Sequence, residues 1–223
     1  MKYQFTGYSE TRTDDEIDAM VQKLFDIIRT AFAPDRARAL LVMYEKIYDR
    51  LISAPASSKV YYHNAFPGGY LDHVLRVIAN LDLVERLFKH TGGTLDYARE
   101  EGIFAAMHHD LYKLGDEHGP MYVAENDSYW IKKGMVYDYN NEIPVMSGTD
   151  RTFYVLRYHR IDFTQNEMIG IRCADGMYDD ANKKYFLAYG TFPLVPNIAY
   201  MVHWADHTAA LYEKQRAKKL LGY

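Results

Sequence analysis

The run "AAMHHDLYKLG" sets His108, His109 and Asp110 among alanine, methionine and leucine, with Lys113 just beyond. Imidazole nitrogens and carboxylate oxygens are ligands for divalent metals, carriers of protons, or ordinary polar residues at the rim of a core. Helical spacing puts Ile103, Met107, Asp110 and Leu114 on one stripe, so an apolar face carries a carboxylate. An ionised carboxylate there is costly unless a cation compensates it. Lys113 is one such cation, three residues from Asp110 and four from His109. A bound metal is another, and this helix alone does not choose between them. His108 falls on a different face.

The same anomaly recurs twice. Ala199, Val202, Asp206, Ala209 and Ala210 share a stripe, so Asp206 also faces inward. His73 stands beside Tyr70, Val74 and Val77. Any one histidine on a helix is more often a satisfied core or surface residue than a ligand. Three helices that each turn a donor towards an apolar side are a stronger signal. Two histidines and two aspartates make an N/O set suited to Mn, Mg, Fe, Co, Ni or Zn as divalent ions. The lack of sulfur donors speaks against a structural zinc.

The elements that would hold these residues are mostly helical. Thr13 and Glu16 form a capping-box pattern before the periodic Ile17, Met20, Val21 and Leu24. Pro34 is placed to open a second helix reaching about Ser53, and a loop with Pro55, Pro67, Gly68 and Gly69 follows. Further helices are expected up to Gly92-Gly93 and from Thr94 to near Gly115. Short β-prone runs at about 120–145 predict a small hairpin, which needs helices to lie on. Helical texture returns over 150–159, over 164–185 and from Pro196 onward. The first 12 residues read as a loose lead-in. We expect a single domain over 1–223, with N-terminal helices in 1–55.

The net charge of −4 excludes a general coat for nucleic acid or a polybasic anchor, but not a small anion in a locally positive pocket. A single cysteine, Cys173, excludes a disulfide within the chain. No long apolar run predicts a membrane span, and the polar start is unlike a signal peptide. The expectation is a cytoplasmic protein.

"YYHNAFPGGYLDHVLRV", "AAMHHDLYKLG" and "MVHWADHTAAL" together resemble the HD-domain metal-dependent phosphohydrolase superfamily. Its pattern is a histidine on one helix, a His-Asp pair on the next and an aspartate on a late helix. His73, His109-Asp110 and Asp206 match it in that order. The resemblance covers residues 60–212. It implies an HD-domain helical bundle, mostly α with the hairpin as an insert, and these four residues as metal ligands. It also implies water activated to attack phosphorus. Lys113 would then touch phosphate or balance Asp110. His63, in the loop before the first ligand, would contact phosphate or protonate the leaving oxygen. Glu117 is a candidate acid or base, and Arg76, His159 and Asp175 are candidate substrate contacts. The expected ligand is a small nucleotide, as mono- or triphosphate, with long nucleic acid disfavoured and a homo-oligomer in keeping with helical proteins of this kind. A phosphodiesterase or 3′–5′ exonuclease, a di-iron oxygenase and a non-catalytic nucleotide-binding module are the alternatives. Ala174 stands where a second metal would want a histidine, which favours one metal.

Overall fold

The computed structural model describes residues 10–187 and 195–221. Residues 1–9 of the expected lead-in lie outside them. Thr13 caps α1 (Asp14–Ala31): its hydroxyl accepts from the Glu16 N–H at 3.2 Å, and Glu16 Oε2 accepts from the Thr13 N–H at 2.8 Å. That is the reciprocal pair the spacing predicts. Pro34 opens α2 (Pro34–Lys46), where its missing N–H would be unpaired anyway. The expected single helix to Ser53 breaks at Ile47, and α3 (Tyr48–Ser53) restarts after it. Ile47 is buried, and beyond the break Arg50 Nη1 donates to the Leu114 carbonyl at 3.2 Å. Tertiary contacts here override local propensity.

The loop into α4 (Gly69–His90) is fixed by close approach. A side chain on Gly69 would collide with the Asn64 carbonyl, so the Gly-Gly pair lets the loop fold under the helix start. The next helix, α5 (Arg99–His108), is shorter than its periodicity predicts. His108 Nδ1 donates to the Phe104 carbonyl and His109 Nδ1 to the Ala106 carbonyl, each at 2.8 Å. These bonds compete for acceptors of the helical ladder. The chain then tightens into a 3₁₀ turn over Leu111–Leu114.

The β insert is present and small. β1 (Tyr122–Ala124) pairs antiparallel with β2 (Tyr137–Tyr139), Tyr122 opposite Tyr139, and the connection carries the short α6 (Ser128–Ile131). α7 (Gly148–Tyr158) and α8 (Gln165–Arg172) follow. The helical texture expected over 164–185 resolves into α8, 3₁₀ turns at Gly176–Tyr178 and Asp180–Asn182, and the four-residue α9 (Lys183–Phe186). Asp179 explains part of the interruption, since its carboxylate accepts from the Ala181 N–H at 2.9 Å.

The last helix, α10 (Ile198–Leu220), packs on α4, α5 and α8. Ala199, Ala205 and Ala209 are fully buried on its inner face, against a core that includes Val74, Val77 and Phe104. Small residues let the backbones approach, and the large ones fill the space. Each fully buried Val or Phe side chain stabilises the fold by roughly 1.5–3 kcal/mol. The architecture is thus a mostly α fold with a two-stranded sheet. Among the described residues, no helix is long and apolar enough to cross a membrane.

Candidate metal centre

The inward carboxylates and imidazoles meet. His73 Nε2, on α4, lies 3.0 Å from Asp206 Oδ1 on α10 and 3.5 Å from Asp110 Oδ2. His109 Nε2, at the end of α5, lies 3.3 Å from Asp110 Oδ2 and 3.6 Å from Asp206 Oδ1. The two Nε2 atoms are 3.3 Å apart. Metal–ligand bonds of about 2.1 Å give ligand–ligand edges of about 3.0 Å in an octahedron and about 3.4 Å in a tetrahedron. Each imidazole donor lies at about such a distance from both carboxylates, and His73, His109 and Asp110 form a buried group that could hold a metal ion, with Asp206 beside both imidazoles.

The remaining ring nitrogens are committed. His109 Nδ1–H is held by the Ala106 carbonyl, which leaves Nε2 to face the cluster. His73 Nδ1 donates to Glu213 Oε2 at 3.0 Å, and Glu213 Oε1 accepts from Arg76 Nε at 3.0 Å. A carboxylate behind a ligating histidine fixes its orientation and raises its basicity. Glu213 is 1% exposed, so a buried glutamate links His73 to the half-buried Arg76. Arg76 also reaches Asp72, which Arg12 and Arg216 contact at 3.0 Å each.

Charge is compensated throughout the cluster. Lys113 Nζ sits 2.6 Å from Asp110 Oδ2, so the pair foreseen as one reading of the stripe is formed. Burial favours a neutral Asp110, but Lys113 and His109 outweigh it and hold its carboxyl well below the usual range. Burial likewise opposes the Lys113 cation, and Asp110 more than restores it. His73 is pulled down by burial and pushed up to about 9 by Glu213 and Asp206. His109 is raised well above its ordinary value by Asp110 and Asp206, again against burial. Without a metal these neighbours favour the protonated imidazoles, so a metal bound there would release protons.

Above the cluster opens a cavity of about 370 Å³ lined by His63, Asp110, Lys113, Asp175, Asp206 and Lys214, with Tyr178, His203 and His207 on its wall. The His63 ring centroid is 5.0 Å from that of His73. Burial, and then the charges of Lys113 and His73, keep His63 neutral. Asp175 is raised by burial and by Asp110 and Asp206. Tyr178 stacks on His207, with centroids 5.7 Å apart and planes at 20°.

Of the residues singled out from sequence, His63, His73, His109, Asp110, Lys113, Asp175 and Asp206 assemble here. Three do not join this assembly. Arg76 lies behind His73, occupied by Glu213 and Asp72. Glu117 is turned away because Gly115 adopts φ +79°, and a side chain there would meet the Gly119 carbonyl. Asp116, the next residue, turns inward to Arg151, whereas Glu117 bonds the Tyr154 hydroxyl. Glu117 and His159 line a different cavity. His108 stacks against Tyr44 and Phe104 in the core, and burial drives it down to about 3.

The sequence reading passed over Glu213, Tyr178, His203 and His207. Glu213 was findable, because it continues the stripe Val202, Asp206, Ala209 by one more turn. His203 and His207, four apart around Asp206, carried the same kind of signal. Tyr178 is brought in by the 3₁₀ turn, which periodicity does not predict. No protein-family model, no curated protein and no solved structure matches the chain.

Proposed function

We propose that this protein is a metal-dependent phosphohydrolase acting on a nucleotide. The observation that carries the reading is the convergence of His73, His109, Asp110 and Asp206 at coordination spacing, beneath a cavity that also holds Lys113. The resemblance of the three motifs to HD-domain phosphohydrolases supports it. A divalent cation bound there supplies Lewis acidity, lowering the pKa of water and drawing charge from a phosphoryl oxygen.

The chain's own residues do the rest. Lys113 and Lys214 present ammonium groups to the phosphate, and neutral His63 offers it a hydrogen bond instead of a proton. Water oxygen bonds to phosphorus, the bond to the leaving oxygen breaks, and one proton passes from the water to that oxygen. Asp175, raised above an ordinary carboxyl, is the carrier for this proton. The Tyr178–His207 stack offers a flat face to a base. A cavity of about 370 Å³ lies near the lower end of small-molecule sites, roughly 300–1,000 Å³, which suits a mononucleotide better than a strand.

Purified protein with Mn²⁺, Mg²⁺, Co²⁺ or Fe²⁺ is expected to release phosphate or triphosphate from at least one member of a nucleotide panel, read by chromatography. His109→Ala is expected to lose the metal and turnover together while keeping the helical circular-dichroism spectrum. Full metal content in that variant, or mononucleotides released only from short single strands, would remove the reading.

A further inference from the structure

On another side of the 3₁₀ turn lies a cavity of about 570 Å³ lined by Lys46, Ile47, Arg50, Glu117, Tyr158, His159 and Arg160. It is formed where α2 and α7 end. We propose that this cavity is a second binding site, metal-independent, for a phosphate-bearing anion of pyrophosphate type.

The charge count points that way. Lys46, Arg50 and Arg160 bring three positive charges. Against them stand Glu117 and two helix C-termini, each worth about half a negative charge. The cavity is left with a net positive charge. Among the described residues, Lys46 and Arg160 make no ion pair, in contrast with Lys113 and Arg76. Arg50 uses only Nη1, which donates to the carbonyls of Leu114, Asp116 and Gly119. Its Nε and Nη2 make no hydrogen bond among the described residues and keep the fork by which arginine grips phosphate.

The backbone at Arg160 is a separate observation. α7 ends in a Schellman motif: the Arg160 N–H bonds the Arg157 carbonyl at 3.0 Å, and the Ile161 N–H bonds the Leu156 carbonyl at 2.9 Å. Arg160 occupies the left-handed position of that motif with φ +59°, where glycine is the favoured residue. A long cation held in strained backbone at the mouth of a positive cavity is what a ligand contact looks like. His159 responds to the same field: burial lowers it, and Lys46 and Arg50 lower it further.

The proposal does not rest on the metal reading, and its test keeps the two apart. Pyrophosphate is titrated calorimetrically into the full chain, into Lys46→Ala/Arg160→Gly, and into His109→Ala/Asp206→Ala, without added metal. Glycine fits the positive φ, so the first variant keeps its fold, as circular dichroism will verify. Wild type and the metal-centre variant are expected to bind alike, within about twofold, while the cavity variant binds at least about tenfold more weakly. Equal binding by wild type and the cavity variant overturns the proposal. So does loss of binding in the metal-centre variant alone, or no binding to wild type up to about 10 mM.

Discussion

In the cavity over His73 and His109 each of the central charges has an opposite charge against it: Lys113 on Asp110, Arg76 on Glu213, both imidazoles on Asp206. In the cavity at the ends of α2 and α7, Lys46 and Arg160 have none among the described residues. The first group is buried, so each charge had to be matched for the fold to tolerate it. The second is more open, where water and salt do the matching. A divalent ion bound at the first site would substitute for positive charge that the lysine and the imidazoles already supply. Lack of compensation leaves the second able to accept an anion as it stands.

The largest effect that would break this contrast lies behind the metal centre. Glu213 touches no substrate; it acts through His73 as a positioning residue. Glu213→Gln keeps the shape and removes the charge between His73 and Arg76. Metal affinity, read by competition with a fluorescent chelator, is expected to fall by roughly 10–100-fold. The nucleotide KM should hardly move at saturating metal, and pyrophosphate binding at the other cavity should not change. An unaltered metal affinity would mean that the buried carboxylate is a packing detail.

A smaller effect for each single pH unit, up to about tenfold per imidazole, is expected from protons held by the metal-free cluster. His73 is raised from 6.5 to about 9, so its imidazolium stabilises the metal-free fold fully below pH 6.5. That contribution is lost as pH rises towards about 9. Metal binding releases the proton, so over the same window affinity should rise by up to about tenfold per unit for each imidazole that deprotonates. Sulfate, a dianion throughout, should bind the second cavity with nearly constant affinity. His159 is already neutral there, and lysine and arginine as a class stay charged in that window. A pH-independent metal affinity would show that the imidazoles are not protonated in the free site.

The two sites were unequally legible in the sequence. Apolar stripes interrupted by Asp110, Asp206 and His73 were visible because burial makes a polar residue conspicuous. The same stripe carried Glu213. The mostly helical class and the β insert followed from periodicity and punctuation, while two expected helices are broken into shorter pieces. What periodicity missed was set by side chains acting on backbone. His108 and His109 end α5 early through bonds to their own helix, and Gly115 turns Glu117 out of the site. The second cavity joins Arg50 to His159 and Arg160, more than a hundred residues apart, on surfaces where charge is ordinary. No local pattern marks such a meeting. His159 and Glu117 line the second cavity instead of the first, because their types suggest chemistry but their positions depend on turns.

The smallest expected effect concerns Arg160 alone. Its left-handed backbone costs a non-glycine residue about 1–2 kcal/mol. Glycine removes that strain but loses about 0.5–1 kcal/mol to the greater freedom of the unfolded chain. Arg160→Gly should therefore stabilise the protein by about 0.5–1 kcal/mol, measured by urea unfolding with an unchanged m-value. Removing a cation from the metal centre should do the reverse, because Lys113→Ala leaves Asp110 buried without its partner. If both substitutions destabilise, Arg160 is held by contacts within the fold, and its strained backbone is no sign of a ligand. If Arg160→Gly gains stability while losing pyrophosphate, the arginine is kept at the expense of the fold for what it binds.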